Sequence, residues 1–571
     1  MKIAALNPVR RQVLKLGAAA CSTGMFAFPG VASGAVASAK LRRYNVLDPQ
    51  NGPRMLASYR LAVSAMLALP FEDPRNWYRH ATIHTLDCPH GNWWFLPWHR
   101  GYLGWFEQVC RDLSGDPYFA LPYWDWSQVA AIPDGLFDGV LNPDHAAFIA
   151  TGAAFQTRMK TALDNAGYWK RPNGAIDNTS QYGQLVARNI PSSNDFWISA
   201  LQSPPGPYFF DQPKTRGLSR ANPGFTADTR NAVSLATLYP ALNARDFTSF
   251  GSPKSADHSA AVGSGILEGQ PHNYVHNCVG TTNCNFGELR GFMVDMLSSI
   301  DPLFYLHHAN IDRLWDVWTR KQARLSLPIA PDGYSLRTTL ADQYKSAAEK
   351  ASDYYKWARE PFLFFTDKKG VKVTKNKAGD YLSIGDFNYD YQPGSGEDVV
   401  KPLLRTQTEE AQRDIRRYVG KIRHRAVTRS APGNVLVQLP NDILVNSGSS
   451  SQSLVARITL NYPPGKHGAY MVVLGGPADI ADIDVDSPYY ATTLMMFGHH
   501  AMNGPFTFII PIGGPVNYLH RNRLLEPGGG VPIRVLPRTG GMPHHAEEME
   551  MDMDADTDSD VQLVSVLIEA Y

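Results

Sequence analysis

The stretch 73–108, DPRNWYRHATIHTLDCPHGNWWFLPWHRGYLGWFEQ, holds four of the chain's 17 histidines, a cysteine two residues before one of them, and nine aromatic residues. Side chains this large and apolar belong in a core, and they take their neighbours in with them. A fold organised around this stretch therefore buries several imidazoles together. A shared metal ion is the arrangement that makes such burial favourable.

The local pattern says how these imidazoles meet. Asp73-Pro74 opens a helix that carries His84 at or near its end, and His90 falls in the loop that follows. From Leu96 to Leu113 the pattern is helical again, with Pro97 in the first turn and Trp98, Tyr102, Trp105, Phe106 and Val109 on or near one face, so His99 leaves a rigid helix near its start. Helix, loop and helix thus present three imidazoles to one ion. Cys88, taken alone, reads as a ligand, a disulfide partner or an inert core thiol.

A second set follows. In ILEGQPHNYVHN (266–277), His272 and His276 lie four apart on one helical face. In DPLFYLHHANIDRLW (301–315), a helix opens near Asp301-Pro302 and carries His308 inward. Asp312 comes one turn later, where its carboxylate is expected to fix the tautomer of a metal-bound imidazole.

These residues resemble the tyrosinases and polyphenol oxidases, the coupled dicopper proteins that also include catechol oxidases and the oxygen-carrying hemocyanins. HTLDCPHGNWWFLPWHR matches the first copper motif of that family, and HNYVH with DPLFYLHHANIDRLW matches the second. The likeness is to a bacterial member with a plant-type C-terminal domain. It implies His84, His90 and His99 as ligands of the first copper, and His272, His276 and His308 as ligands of the second. His80 and His307 become non-ligand neighbours. A cysteine placed like Cys88 implies a thioether to His90, while Glu268 and Asn273 match the pair that holds and activates a water above the second copper. Asn277 falls at the substrate mouth, and Phe292 and Met293 are left unassigned.

The implied cofactors are two copper ions, with O2 as co-substrate. Imidazole suits both copper oxidation states, whereas closed zinc sites favour cysteine. The implied reaction is ortho-hydroxylation of monophenols and oxidation of o-diphenols to o-quinones. The protein supplies position and electrostatics, and a carboxylate acting through water takes the phenolic proton, whose pKa is about 10. Two alternatives share the ligands, namely a catechol oxidase acting on diphenols only and a dioxygen carrier.

The remaining chain gives the domain plan. At 571 residues there is room for two or three domains, and a net charge of +1 gives no reason to expect nucleic acid or an anionic membrane as partner, so a small, uncharged substrate is the plainer expectation, and the resemblance implies small phenols with O2. Residues 1–39 read as a twin-arginine-type export signal, with Arg10-Arg11, an apolar run and Ala37-Ser38-Ala39. No later stretch is apolar enough to span a membrane. Residues 40–395 form a mainly α catalytic domain, a helix bundle with long loops, and 396–434 a basic linker. The segment 435–571, with its short Val, Ile, Leu and Tyr runs and Gly/Pro punctuation, reads as a β-sandwich-like domain, and its resemblance to the plant-type C-terminal domain implies that it shields the site and keeps the enzyme latent. Asp125 is either an acceptor behind the site or a core carboxylate, and His145 and His258 read as surface or structural. Cys110 belongs to the core, and Cys278 and Cys284 are either a small disulfide loop or two thiols. The tail GMPHHAEEMEMDMDADTDSD is either a solvated acidic loop or, through His544, His545 and its methionines, a copper-handling segment.

Overall fold

The computed structural model describes residues 40–202, 216–284, 290–331, 352–401, 414–428, 430–448, 453–463, 468–477, 483–497, 504–538 and 561–571. The proposed export signal and the His/Met-rich tail segment lie outside these.

Helix α1 (Asn51–Ala68) packs on the helices that carry the first histidine set. Helix α2 (Trp77–Asp87) starts where the Asn76 side chain accepts the amides of Tyr78 and Arg79, and stops at Cys88, which precedes Pro89 and is extended. Helix α3 (Phe95–Ser114) carries Pro97 in its first turn and ends on Gly115 at φ 71°, a left-handed stop that glycine adopts without strain. The short α4 (Gln181–Ala187) ends beside Arg188. Helix α5 (Asn273–Gly280) continues directly from a π-helical turn, Glu268–His272. Helix α6 (Leu303–Arg324) has its first amide capped by Asp301 and two basic residues, Lys321 and Arg324, in its last turn, which suits the helix dipole.

Strands β1 (Leu41–Arg43) and β3 (Tyr389–Tyr391) pair in parallel and bring the two ends of the helical part together. Between them comes β2 (Gly263–Ser264). The C-terminal part contains β4 (Arg416–Val419), β5 (Lys421–His424), β6 (Gly433–Gln438), β7 (Leu454–Tyr462), β8 (Tyr470–Leu474), β9 (Tyr490–Leu494), β10 (Gly504–Pro511), β11 (Gly530–Pro537) and β12 (Gln562–Ala570). They form two five-stranded sheets, β2-β10-β7-β12-β4 and β5-β6-β11-β8-β9, antiparallel except where β2 joins β10. Their inner faces share a core of Val435, Val437, Ile458, Leu460, Val472, Phe508, Ile533 and Val566. The expected order of a helical part followed by a β-rich part is therefore present. Strands β4 and β5 lie inside 396–434, the stretch read as linker. Their exposed arginines hid the β pattern, because both are edge strands whose outer faces meet water.

Candidate metal centre

All the imidazoles of the two motifs converge. His84, Cys88, His90 and His99 place one donor atom each within 4.8 Å of one another, and His272, His276, His307 and His308 do the same. The two groups face each other: the His99 and His308 rings stack at 4.2 Å, and His90 and His272 lie 5.4 Å apart. Burial holds five of these imidazoles neutral, with His272 lowered to about 3 and His99, His276, His307 and His308 well below the usual value.

Backbone carbonyls set which nitrogen faces inward in three of the rings. Nδ1 of His84 lies 2.7 Å from the Met296 carbonyl, Nδ1 of His99 is 2.8 Å from that of Phe95, and Nδ1 of His276 is 2.7 Å from that of Met293. The loop containing Met293 and Met296 thus holds one imidazole from each group. Nδ1 of His272 meets Asn273 Oδ1 at 2.9 Å. Each such bond takes an Nδ1–H and leaves the Nε2 lone pair for a metal. His276 and His308 bring their Nε2 atoms to 3.1 Å, the spacing of two ligands on one ion at about 2 Å each. His307 differs: its Nδ1 accepts from Trp126 Nε1–H at 3.2 Å, which puts its own proton on Nε2 and favours His308 as the ligand. His80 stacks on Tyr102 at 4.6 Å and packs against Phe106, a core histidine lowered to about 3 by burial.

Several expected partners lie elsewhere. The Asp312 carboxylate does not act on an imidazole. It receives Arg100 Nε at 2.6 Å, Arg43 Nη1 at 3.2 Å and the hydroxyls of Tyr389 and Tyr391 at 2.5 and 2.6 Å, a buried network that ties α6 to α3 and to the β1–β3 pair. These cations hold the carboxyl below its ordinary range against the opposing effect of burial. Asp125 accepts the Ser395 amide at 2.7 Å and is a core carboxylate. His258 bridges two buried carboxylates, Asp87 at 2.9 Å and Glu360 at 2.6 Å, while His145 is at the surface. Cys278 and Cys284 form a disulfide, and Cys110 is a buried free thiol.

Glu268 and Asn273 are both at the site and both engaged. Glu268 accepts the Gly91 amide at 2.7 Å and the Ser252 hydroxyl, and burial raises its carboxyl to about 8. Asn273 donates from Nδ2 to the Met495 carbonyl at 3.0 Å, and Asn277 donates to the Met496 carbonyl at 3.3 Å. Gln270 and Tyr274, on the same helical face, bond Thr492 and Thr493. A strand of the C-terminal part is therefore laced along the helix that bears His272 and His276.

That strand delivers the residue that sequence reasoning missed. The Phe497 ring lies 4.1 Å from His276, 4.8 Å from His90 and 5.5 Å from His272. Phe95 and Phe304 flank the imidazoles from the helical part, Phe95 at 4.7 Å from His99 and Phe304 at 4.2 Å from His308. The three rings together close the imidazole cluster to water. No local pattern marks Phe497, which is more than 180 residues from any of these histidines in the chain.

The Sγ of Cys88 sits 3.5 Å from His90 Nδ1 and 3.7 Å from His90 Nε2, close to equidistant from the two nitrogens that flank Cε1. The donor set is buried imidazole, four of the rings held by an acceptor on Nδ1 and all enclosed by aromatic rings, which fits copper in either oxidation state.

A family model described as the common central domain of tyrosinase matches residues 74–321. The chain is 25% identical over 428 residues to a chloroplastic polyphenol oxidase of Vitis vinifera, an alignment covering 72% of this chain and 54% of that one. It is 28% identical over 298 residues to a chloroplastic (+)-larreatricin hydroxylase of Larrea tridentata, covering 48% and 40%. The chain thus spans about half the length of the curated relatives it matches. Among solved structures, a latent aurone synthase (polyphenol oxidase) from natural source superposes with a TM-score of 0.55 at 20% identity, over 96% of this chain and 92% of that one, a likeness of fold. With two imidazole groups on the matching helices and a β-rich part after them, residues 74–321 of the chain match the central domain of the tyrosinase family.

Proposed function

We propose that this chain is a copper-dependent phenol oxidase that hydroxylates monophenols at the ortho carbon and oxidises o-diphenols to o-quinones with O2. The observation that carries the reading is the facing pair of buried imidazole groups. In it, His84, His90 and His99 hold one copper, and His272, His276 and His308 the other. When bound, the two metals supply the one-electron couples through which dioxygen is activated. The protein does the rest: it fixes Nε2 of His84, His99, His272 and His276 through an acceptor on Nδ1, excludes water with Phe95 and Phe304, and offers the Glu268 carboxylate as the acceptor of the phenolic proton through a water.

Shielding is part of the proposal. Phe497 occupies the space over His90, His272 and His276 where a phenol ring would stack, and Met495 takes the amide of Asn273. The chain is then latent until this segment moves or is cut away. Residues 1–39 direct export by the twin-arginine route. Among the described residues no helix is long and apolar enough to cross a membrane.

A second reading, oxidation of diphenols only, is favoured by one observation. Glu268 and Asn273 already bond protein partners through each of their polar atoms, which weakens their hold on an ordered water. The test is to load the full chain with copper, assay a simple monophenol and its catechol side by side, and repeat after limited proteolysis. Quinone from both substrates, rising on cleavage, supports the proposal, and quinone from catechol alone selects the second reading. No quinone from a folded protein with two bound coppers, once cleaved and parted from its C-terminal fragment, overturns both.

A further inference from the structure

The Cys88 sulfur has a choice of partners. It lies 3.5 and 3.7 Å from the two ring nitrogens of His90, and 3.4 Å from Nε2 of His99. Distance alone does not select between these imidazoles. What places the sulfur is the backbone of Asp87-Cys88, because a cysteine has a single rotatable bond between its backbone and Sγ.

That backbone is gripped from outside the motif. Arg188, the residue at which α4 ends, donates from Nη1 to the Cys88 carbonyl at 2.8 Å and from Nη2 to the Asp87 carbonyl at 2.7 Å. The same Nη2 also reaches the His258 carbonyl at 3.0 Å. His258 in turn holds the Asp87 carboxylate at 2.9 Å, and Trp98 Nε1 donates to the other carboxylate oxygen at 2.7 Å. On the far side, Asn92 Nδ2 donates to the carbonyls of His258 and Ala260. A planar guanidinium fork on two successive carbonyls fixes a peptide's tilt as well as its position, which a single donor cannot do.

We propose that Arg188 is a positioning residue for maturation of the centre: its fork turns Cys88 so that Sγ joins His90 Cε1 and not a ring carbon of His99. This rests on the dicopper reading above. In the step, the Cys88 S–H and the His90 Cε1–H bonds are lost and a C–S bond forms. The two electrons and two protons pass to dioxygen, the oxidant of the proposed reaction, which leaves as hydrogen peroxide.

The readout is covalent and independent of turnover. Cys88, His90 and His99 all fall in one tryptic peptide, 80–100. Full-length wild type, Arg188→Met and Arg188→Lys are prepared without metal and loaded with copper in air. The peptide is then followed by mass, the linked form being lighter by two hydrogens, and fragmentation locates the bond. Wild type is expected to convert to the His90-linked form. Arg188→Met should form that bond about 10- to 100-fold more slowly, or divert it to His99, the loss expected when a reacting atom is misplaced by about 1 Å. Arg188→Lys, which keeps the cation but not the fork, should fall between the two and serves as the second variant if the methionine chain does not fold.

Either variant forming the His90 bond at the wild-type rate, with two coppers bound, overturns the role of Arg188 and leaves the dicopper reading standing. Wild type binding two coppers without any linked peptide removes the crosslink, and this proposal with it.

Discussion

The contact of Phe497 with the imidazoles makes the magnitude of latency calculable. Phe497 is 4% exposed, so Phe497→Ala removes a ring that is almost wholly buried against His90, His272 and His276. The hydrogen bonds of Asn273 and Asn277 to the carbonyls of Met495 and Met496 use backbone acceptors, and they survive the change. The loss is then the burial of one phenylalanine side chain, about 1.5–3 kcal/mol of docking free energy. At about 1.4 kcal/mol per factor of ten, the population with the segment lifted off rises roughly 10- to 150-fold. The initial rate of quinone formation from a catechol by uncleaved, copper-loaded protein should rise by the same factor, up to the ceiling set by the proteolysed enzyme. The rate is followed by quinone absorbance, with copper content measured on the same samples. If the uncleaved variant is no faster than wild type while cleavage activates both, Phe497 is not the block.

Two further outcomes follow from the same geometry. Asp295 closes the turn whose flanking carbonyls, Met293 and Met296, hold His276 and His84, through an acceptor bond to the Leu297 amide at 2.7 Å. Asp295→Ala should therefore weaken copper retention about 10- to 100-fold in both sites together, with Asp295→Asn near wild type. A chelator titration that finds one site unaffected would refute the shared clamp. His258, held between Asp87 and Glu360, has a raised pKa, opposite to the effect of burial. Its bonds thus contribute fully below the unfolded value of about 6.5, and the contribution is lost as pH rises through the folded value. The melting-temperature difference between wild type and His258→Gln should shrink as pH is raised above about 6.5. A constant difference would mean that His258 does not fold as the cation.

The imidazole groups were legible because their spacing is local. His272 and His276 share a helix face whatever lies beyond it, and His99 leaves a helix whose apolar stripe is plain. Asp312 shows where that logic fails. One turn after a ligand is a sound position for an acceptor, but Arg43 and Tyr391 sit 269 and 79 residues away and take the carboxylate first. The carbonyls of Met293 and Met296 could not be read either, since the atoms doing the holding are backbone and any side chain could stand there. In the β-rich part, buried strands such as β7 showed their alternation, whereas the basic edge strands β4 and β5 looked like linker.

Strand β2 has a consequence for any cut between the two parts. Gly263 and Ser264 belong by sequence to the helical part, yet they are hydrogen-bonded neighbours of Thr507 and Phe508. Tyr571, at the other end of the β-rich part, is buried with Val455 and Ile509 in the core of the helices. Severing the backbone between Lys401 and Asp414 therefore breaks covalent continuity but not cohesion. The two fragments should travel as one particle under native conditions and separate on a denaturing gel, so that unmasking requires a further push to peel one surface from the other.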